Sequence, residues 1–250
     1  MKPKFSIVIP VYNSEKNLKK LYNSIIKVLQ DIPGKFEIIF VDDNSKDYSL
    51  DVLKDISSKD TRVVVIKLKK NFGQQNAVFC GLNYARGDYT INLDDDLQHN
   101  PKYIKNMYEK ITEGYDVVYA VTKVKYHKKY RNLGSKLTDK LFNFLLNKPP
   151  SKRVSSYRII TKSVVNKIIA EKRSYNYISA SLLKHTKNIG NYYYKHSLRK
   201  YGSSNYTFLK QFKIFLRIYL YYADNKFIKK FRTNKEPFEI EHIIDCRCLN

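Results

Sequence analysis

Tryptophan is absent from the 250 residues, methionine occurs twice and cysteine three times. Cys80, Cys246 and Cys248 make an odd count with no framework spacing, which excludes a disulfide scaffold and points to a reducing compartment. The terminal Cys-x-Cys pair has no partner ligands beside it and reads as a tail, not a metal site. Internal repeats and low-complexity linkers are missing. Long apolar runs are missing too: no stretch approaches the roughly 20 residues a membrane span needs. The run Phe5–Val11 is broken by Ser6 and followed by polar residues, unlike a signal peptide. A chain with 43% hydrophobic and 14% aromatic residues nevertheless lacks the signature of disorder. Its length suits one catalytic-sized unit with an appended tail. A cytoplasmic protein, or one lying peripherally on the cytosolic face of a membrane, is expected.

Acidic residues are scarce in one half only. Residues 117–235 hold 28 Lys and Arg against three acids, Asp139, Glu171 and Asp224, a surplus of +25 within a formal net charge of +24. So basic a surface attracts polyanions: nucleic acid, anionic lipid headgroups or substrate phosphates. Isolated lysines read equally well as ordinary solvated surface.

What is present is a regular alternation. FSIVIPVY (5–12), FEIIFVDD (36–43), RVVVIKL (62–68), YTINL (89–93) and DVVYAVT (116–122) read as strands. Helical spacing separates them at 13–30, from Asn44, at 74–85 and at 101–111. That order predicts an α/β fold with a mostly parallel sheet and helices on both faces. Beyond Thr122 the pattern predicts a basic loop (123–131), a helix (132–147), a short strand (154–160), two helices (162–170 and 177–187), a strand (191–197) and a last helix (206–222). That last helix sets Lys210, Lys213 and Arg217 against Phe208, Phe212, Phe215, Leu216, Tyr219 and Leu220. Such a face suits either a membrane interface or packing on its own domain.

The most informative stretch is GDYTINLDDDLQHNP (87–101), where an apolar strand ends in three aspartates. Asp94, Asp96 and Gln98 offer hard oxygen ligands for Mg²⁺ or Mn²⁺ carrying a diphosphate. Ligands of such sheets bind beyond the carboxyl ends of the strands, where Asp42 and Asp43 also fall. Asn44–Asp47 reads as helix capping, while Asp43 is a ligand candidate. His99 reads as a cap or as exposed, and no histidine is given a role.

Taken in order, SIVIPVYNSEKNL, FVDDNSKD, NFGQQNAVFCGL, GDYTINLDDDLQHNP and RKYGSSNY resemble the family 2 glycosyltransferases with a GT-A fold. The resemblance is strongest to the branch similar to dolichyl-phosphate mannosyltransferase and the bacterial undecaprenyl-phosphate glycosyltransferases, and it covers about Phe5 to Tyr222. It implies that Pro10 and Tyr12 line the nucleotide-base pocket, that Asp43 bonds base or ribose, and that Asp94, Asp96 and Gln98 hold the metal. It implies phosphate-gripping roles for Lys123, Arg131 and the mobile-loop Arg199. The expected organisation is a GT-A domain over 1–222, with a nucleotide-sugar-binding half (1–122) and an acceptor-binding half (123–222), then a basic-to-acidic tail (223–250). Three departures stand out. Ser14 replaces a glutamate common in relatives, SSYR (155–158) lacks a preceding aspartate, and the two hydrophobic spans that follow the domain in many undecaprenyl-phosphate enzymes are absent.

A sugar hydroxyl needs a general base, whereas a lipid phosphate is already anionic. The acid-poor half therefore favours a phosphate acceptor, with Asp95 or Asp139 as the alternative base for a hydroxyl. The expectation is a metal-dependent, inverting transfer from a nucleotide sugar to a polyprenyl phosphate in cell-envelope polysaccharide biosynthesis, on an anionic membrane surface, with a membrane partner protein as a further expectation. The alternatives are transfer to a hydroxyl of a lipid-linked or surface glycan, and a non-catalytic polyanion or membrane binder. No nucleic acid is expected as partner.

Overall fold

The computed structural model describes residues 2–122, 142–171, 173–194, 208–223, 225–233 and 235–247. Its centre is an eight-stranded sheet. β1 (Phe5–Val11), β2 (Phe36–Asp42), β3 (Val63–Leu68), β4 (Tyr89–Asn92) and β5 (Val117–Thr122) come first; β6 (Arg158–Thr161), β7 (Ile189–Tyr194) and β8 (Ile240–Asp245) complete it in the order β7-β5-β6-β4-β1-β2-β3-β8. β6 and β8 run against the rest. β1 and β2 are buried along their whole length, which is why they read as continuous apolar runs instead of alternating ones.

Helices cover both faces. On one, α1 (Glu15–Gln30) lays Leu18, Leu21, Ile25 and Leu29 on Ile7, Ile9 and Phe40, joined by α2 (Ser49–Lys59) and α4 (Ile104–Ile111). On the other, α3 (Gln74–Tyr84), α5 (Lys162–Ala170), α6 (Ile178–His185) and α7 (Phe208–Tyr222) pack against Val8, Ile39 and Val41. Gly81 lets α3 press close, since a Cβ there would lie 2.4 Å from Val8 Cγ1. A short helix α8 (Lys226–Lys229) follows α7. No helix among the described residues is long and apolar enough to cross a membrane.

Several elements differ from the sequence reading. α2 begins at Ser49 instead of Asn44, because Asn44 takes φ 58° and Asp42 and Asp47 bond the intervening backbone. The segment 154–160 yields strand only from Arg158, and antiparallel, wedged between β4 and β5. β8 lies in the segment read as a tail. It pairs with β3 in the register Val65↔Ile244 and Ile66↔Ile243. The sequence IEHIID lacks clean alternation, and much of what docks it is charge: Lys67 to Glu241 at 2.8 Å, and Arg247 to the buried Glu37 at 2.6 Å. α7 buries Ile218 and Tyr222 in its own domain while leaving Leu216 and Tyr219 exposed. The helix expected over 132–147 is described only over 142–146, which is helical, and the loops 123–131 and 201–205 lie outside the described residues.

Candidate active site

The strand order reverses at β1, whose neighbours β2 and β4 lead to opposite edges, and the crevice in which such sheets bind ligands falls there, beyond the carboxyl ends. Pro10 helps to open it. Val8 O accepts from Leu93 N at 3.2 Å and Val11 O from Asp43 N at 2.8 Å, so the alternation along β1 turns Pro10 toward β4. The β1–β4 pairing has already ended at Val8↔Asn92, so the missing proline N–H breaks no ladder bond.

The three aspartates follow directly and turn three ways. Asp94 points into the floor: Gln74 Nε2 donates to Oδ1 and Ser156 Oγ to Oδ2, both at 2.7 Å. His99 Nδ1 stands 3.3 Å from the same Oδ2 without the alignment of a hydrogen bond, its ring stacked on Tyr157. Burial opposes ionisation of Asp94, but His99, Ser156 and the nearby Arg158 outweigh it and hold the carboxyl below its ordinary range. For His99, burial works against the imidazolium, yet the Asp94 charge raises its pKa.

Asp95 turns back to the loop after β1, accepting from Tyr12 N at 3.1 Å and from Ser14 Oγ. Burial, with the neighbouring carboxylates adding to it, pushes its pKa up to about 6. Asp96 Oδ1 accepts from Gln98 N at 3.0 Å, closing a turn in which Leu97 takes φ 59°. A leucine in the left-handed region is strained backbone of the kind held at functional sites.

Behind Asp94 lies Arg158, only 2% exposed. The β4–β6 register sets it opposite Asn92, whose Oδ1 accepts from Arg158 Nε at 2.8 Å, while Nη1 donates to Ser179 Oγ at 2.9 Å. On the other flank, both oxygens of Asp43 accept backbone amides, from Phe72 at 2.7 Å and Gly73 at 2.8 Å. Burial, only partly offset by these bonds, pushes Asp43 up to about 6. Gly73, at φ 86°, opens α3, so Asp43 positions the turn that delivers Gln74 to Asp94.

Pro10 and Tyr12 therefore stand at the carboxyl end of β1, Asp43 just after β2, and Asp94, Asp96 and Gln98 in the turn after β4, with Tyr12 47% exposed. Lys123, Arg131 and Arg199 lie outside the described residues. Gln74, Ser156, His99 and Arg158 were not singled out from the sequence as site residues. NFGQQN and SSYR carried the signal, but their contacts to Asp94 depend on pairing across 20 and 62 residues.

The carboxylate and amide oxygens of this turn are the donor chemistry of a divalent cation. No group of three His, Cys, Asp or Glu side chains among the described residues is arranged to hold a metal alone. Two carboxylates and an amide oxygen in one turn are nonetheless what Mg²⁺ or Mn²⁺ takes when substrate phosphates complete its shell.

Residues 6–169 match the family model for glycosyl transferase family 2. The chain belongs to that family. This family 2 glycosyltransferase is 31% identical over 212 residues to the undecaprenyl-phosphate 4-deoxy-4-formamido-L-arabinose transferase of Proteus mirabilis, covering 83% of its own length and 64% of that protein's. It is 43% identical over 117 residues to the uncharacterized glycosyltransferase YkcC of Bacillus subtilis, over 47% of its own length and 36% of that protein's. It thus spans about a third to two thirds of these relatives. Among solved structures it is similar to glucosyl-3-phosphoglycerate synthase from Mycobacterium tuberculosis, crystallised with Mn²⁺, UDP-glucose and phosphoglyceric acid. The TM-score is 0.65 at 16% identity, over 87% of this chain and 78% of that one. The fold is the GT-A fold expected from the sequence.

Proposed function

We propose that this glycosyltransferase moves a sugar from a nucleotide-sugar donor to a polyprenyl phosphate, working peripherally at the cytosolic face of a membrane. The observation that carries the reading is Asp94, held ionised on the crevice floor with Asp96 and Gln98 in the same turn. Asp94, Asp96 and Gln98 would hold Mg²⁺ or Mn²⁺, which when bound neutralises charge on the departing diphosphate. The chain's own residues do the rest. Tyr12 stands at the lip to stack on the base, its position set by Asp95; Gln74 and Ser156 orient Asp94; Arg158 supports the floor from below. Lys123, Arg131 and Arg199 are proposed to grip the phosphates, where cations stabilise the charge that develops as the sugar leaves.

The acceptor follows from two supports. The Proteus relative is named for transfer involving undecaprenyl phosphate, and residues 117–235 are rich in cations and poor in candidate bases. A phosphate acceptor needs neutralisation and alignment, not deprotonation. One observation favours a hydroxyl acceptor instead: Asp95, with its pKa near 6, has the character of a base. The bonds from Tyr12 and Ser14, however, both fall on Oδ2 and turn the carboxylate toward the loop after β1.

The test is transfer from a panel of labelled nucleotide sugars, with Mn²⁺ or with EDTA, to a short polyprenyl phosphate and to simple glycans. Metal-dependent labelling of the lipid is expected, and Asp94→Asn or Asp96→Asn should lower turnover by about 100-fold or more with folding intact. Labelling of glycans alone would overturn the acceptor. Unchanged turnover in both variants would overturn the site.

A further inference from the structure

Beyond the crevice, two exposed aromatics of the C-terminal part stand together. Phe227 is 67% and Phe231 62% exposed, their rings 5.4 Å apart and edge-on to one another. Leu216 and Tyr219 are exposed on α7, the preceding helix. The mount is rigid. Asn225 Oδ1 caps α8 by accepting from Phe227 N at 2.8 Å. Arg232 reaches back to the end of α7, donating from Nε to Leu220 O at 2.9 Å and from Nη2 to Ala223 O at 2.6 Å. Two phenyl rings held in water by such a frame cost solvation with no return inside the molecule.

The segment that carries them is strongly basic. Residues 208–235 hold eight Lys and Arg against one acid, Asp224. Lys213, Arg217 and Lys230 are exposed. Aromatic rings projecting from a field of cations match the interface of an anionic bilayer, where the rings enter the acyl boundary and the amines stay with the headgroups. A protein partner or a second copy of this chain offers no equivalent reason for so uniform a charge. Nucleic acid would answer the charge but not the paired phenyls.

The position also suits the chemistry. Tyr222, at the end of α7, hydrogen-bonds Ser181 Oγ at 2.7 Å and accepts from Tyr177 N at 3.0 Å. The next residue, Ile178, donates to Gln75 beside the Gln74 that holds Asp94. We propose that Phe227 and Phe231, with the cations around them, form a membrane-insertion prong that docks the chain on an anionic lipid surface. Its purpose rests on the lipid-phosphate reading above, but the docking itself does not.

The experiment is co-sedimentation of the full chain with vesicles of phosphatidylcholine alone and with phosphatidylglycerol added, free of any acceptor, for the wild type and for Phe227→Ser combined with Phe231→Ser. Sugar transfer to a detergent-dispersed acceptor is measured in parallel. The wild type should bind the anionic vesicles and not the neutral ones. The double variant should bind them about tenfold or more weakly, since each phenyl kept out of lipid forfeits its transfer free energy. Both residues are exposed, so the variant should melt like the wild type and keep its transfer activity in detergent. Equal binding by both proteins would leave electrostatics alone responsible and overturn the prong, as would no binding by the wild type, or a wild-type dimer that the same substitutions dissociate. Loss of transfer to lipid phosphate in both proteins, with vesicle binding intact, would instead overturn the acceptor and leave the docking surface standing.

Discussion

Among the three consecutive aspartates, the middle one does something its neighbours do not. Asp94 and Asp96 serve the floor and its turn, while Asp95 joins the turn after β4 to the loop after β1 through Tyr12 N and Ser14 Oγ. Ser14 lies in the loop after β1, so the bond ties two elements 81 residues apart in the chain. Asp95→Ala should therefore leave Asp94 and Asp96 in position but release Tyr12. The expected result is a KM for the nucleotide sugar raised about tenfold with kcat little changed, the loss of two hydrogen bonds to a charged group. Asp95→Asn keeps an acceptor and should recover much of the affinity. A fall in kcat with unchanged KM would place Asp95 in the chemistry instead. The residue types of this turn were plain from LDDDLQHNP, since a strand ending in carboxylates has few other reasons to exist. The direction each side chain takes was not, because it is decided by partners far away in the chain: Ser156 for Asp94, Ser14 for Asp95. His99 was read as a cap or as exposed; its approach to Asp94 is local, across a turn in which Leu97 takes φ 59°.

Elements with a single strong signal were legible, and elements that exist through their neighbours were not. β1 to β5 are apolar runs bounded by polar helices, and their parallel order follows from alternation alone. β6 is reversed because it is inserted between β4 and β5, and no local pattern announces that. β8 is the clearest case. Half of its side chains face water, and its anchor is Arg247, whose Nη1 lies 2.6 Å from Glu37 Oε2, with Asp245 as second partner. Glu37 is itself buried, sharing Oε1 with Ser6 Oγ at 2.5 Å and with Arg86 N at 2.7 Å. Arg247→Ala leaves that carboxylate short of its main cation, with Arg86 Nε at 3.5 Å as the remaining one. A loss of about 3 kcal/mol is expected in urea unfolding, with β8 fraying and the β3 edge opened to aggregation. The paired change Arg247→Met with Glu37→Gln should restore most of it, because the cost lies in stranding a buried charge and not in the absence of an ion pair. A single variant as stable as the wild type would mean that β8 is held by its ladder alone.

For the whole molecule, charge is divided along the chain. The part that holds β1 to β4 is near neutral, whereas the surplus of +25 lies in residues 117–235. A field of that extent acts on whatever approaches from outside, and it is screened by salt within about 8 Å at physiological ionic strength. On the reading proposed above the donor would be held instead at close range, through a cation on groups such as Asp94, whose interactions are buried and little screened. The two substrates should therefore respond differently to salt. Raising ionic strength from about 0.05 M to about 0.5 M should lower kcat/KM for an anionic lipid-phosphate acceptor by about tenfold or more while moving the KM for the nucleotide sugar far less, measured with a short acceptor in uncharged detergent so that membrane binding plays no part. A neutral glycan acceptor carries no charge for this field to steer, so a salt-insensitive rate with glycan as the better substrate would mean that the basic half serves the membrane alone. A steep fall confined to the phosphate acceptor would mean that the same cations both draw the chain to the bilayer and deliver the acceptor into the crevice.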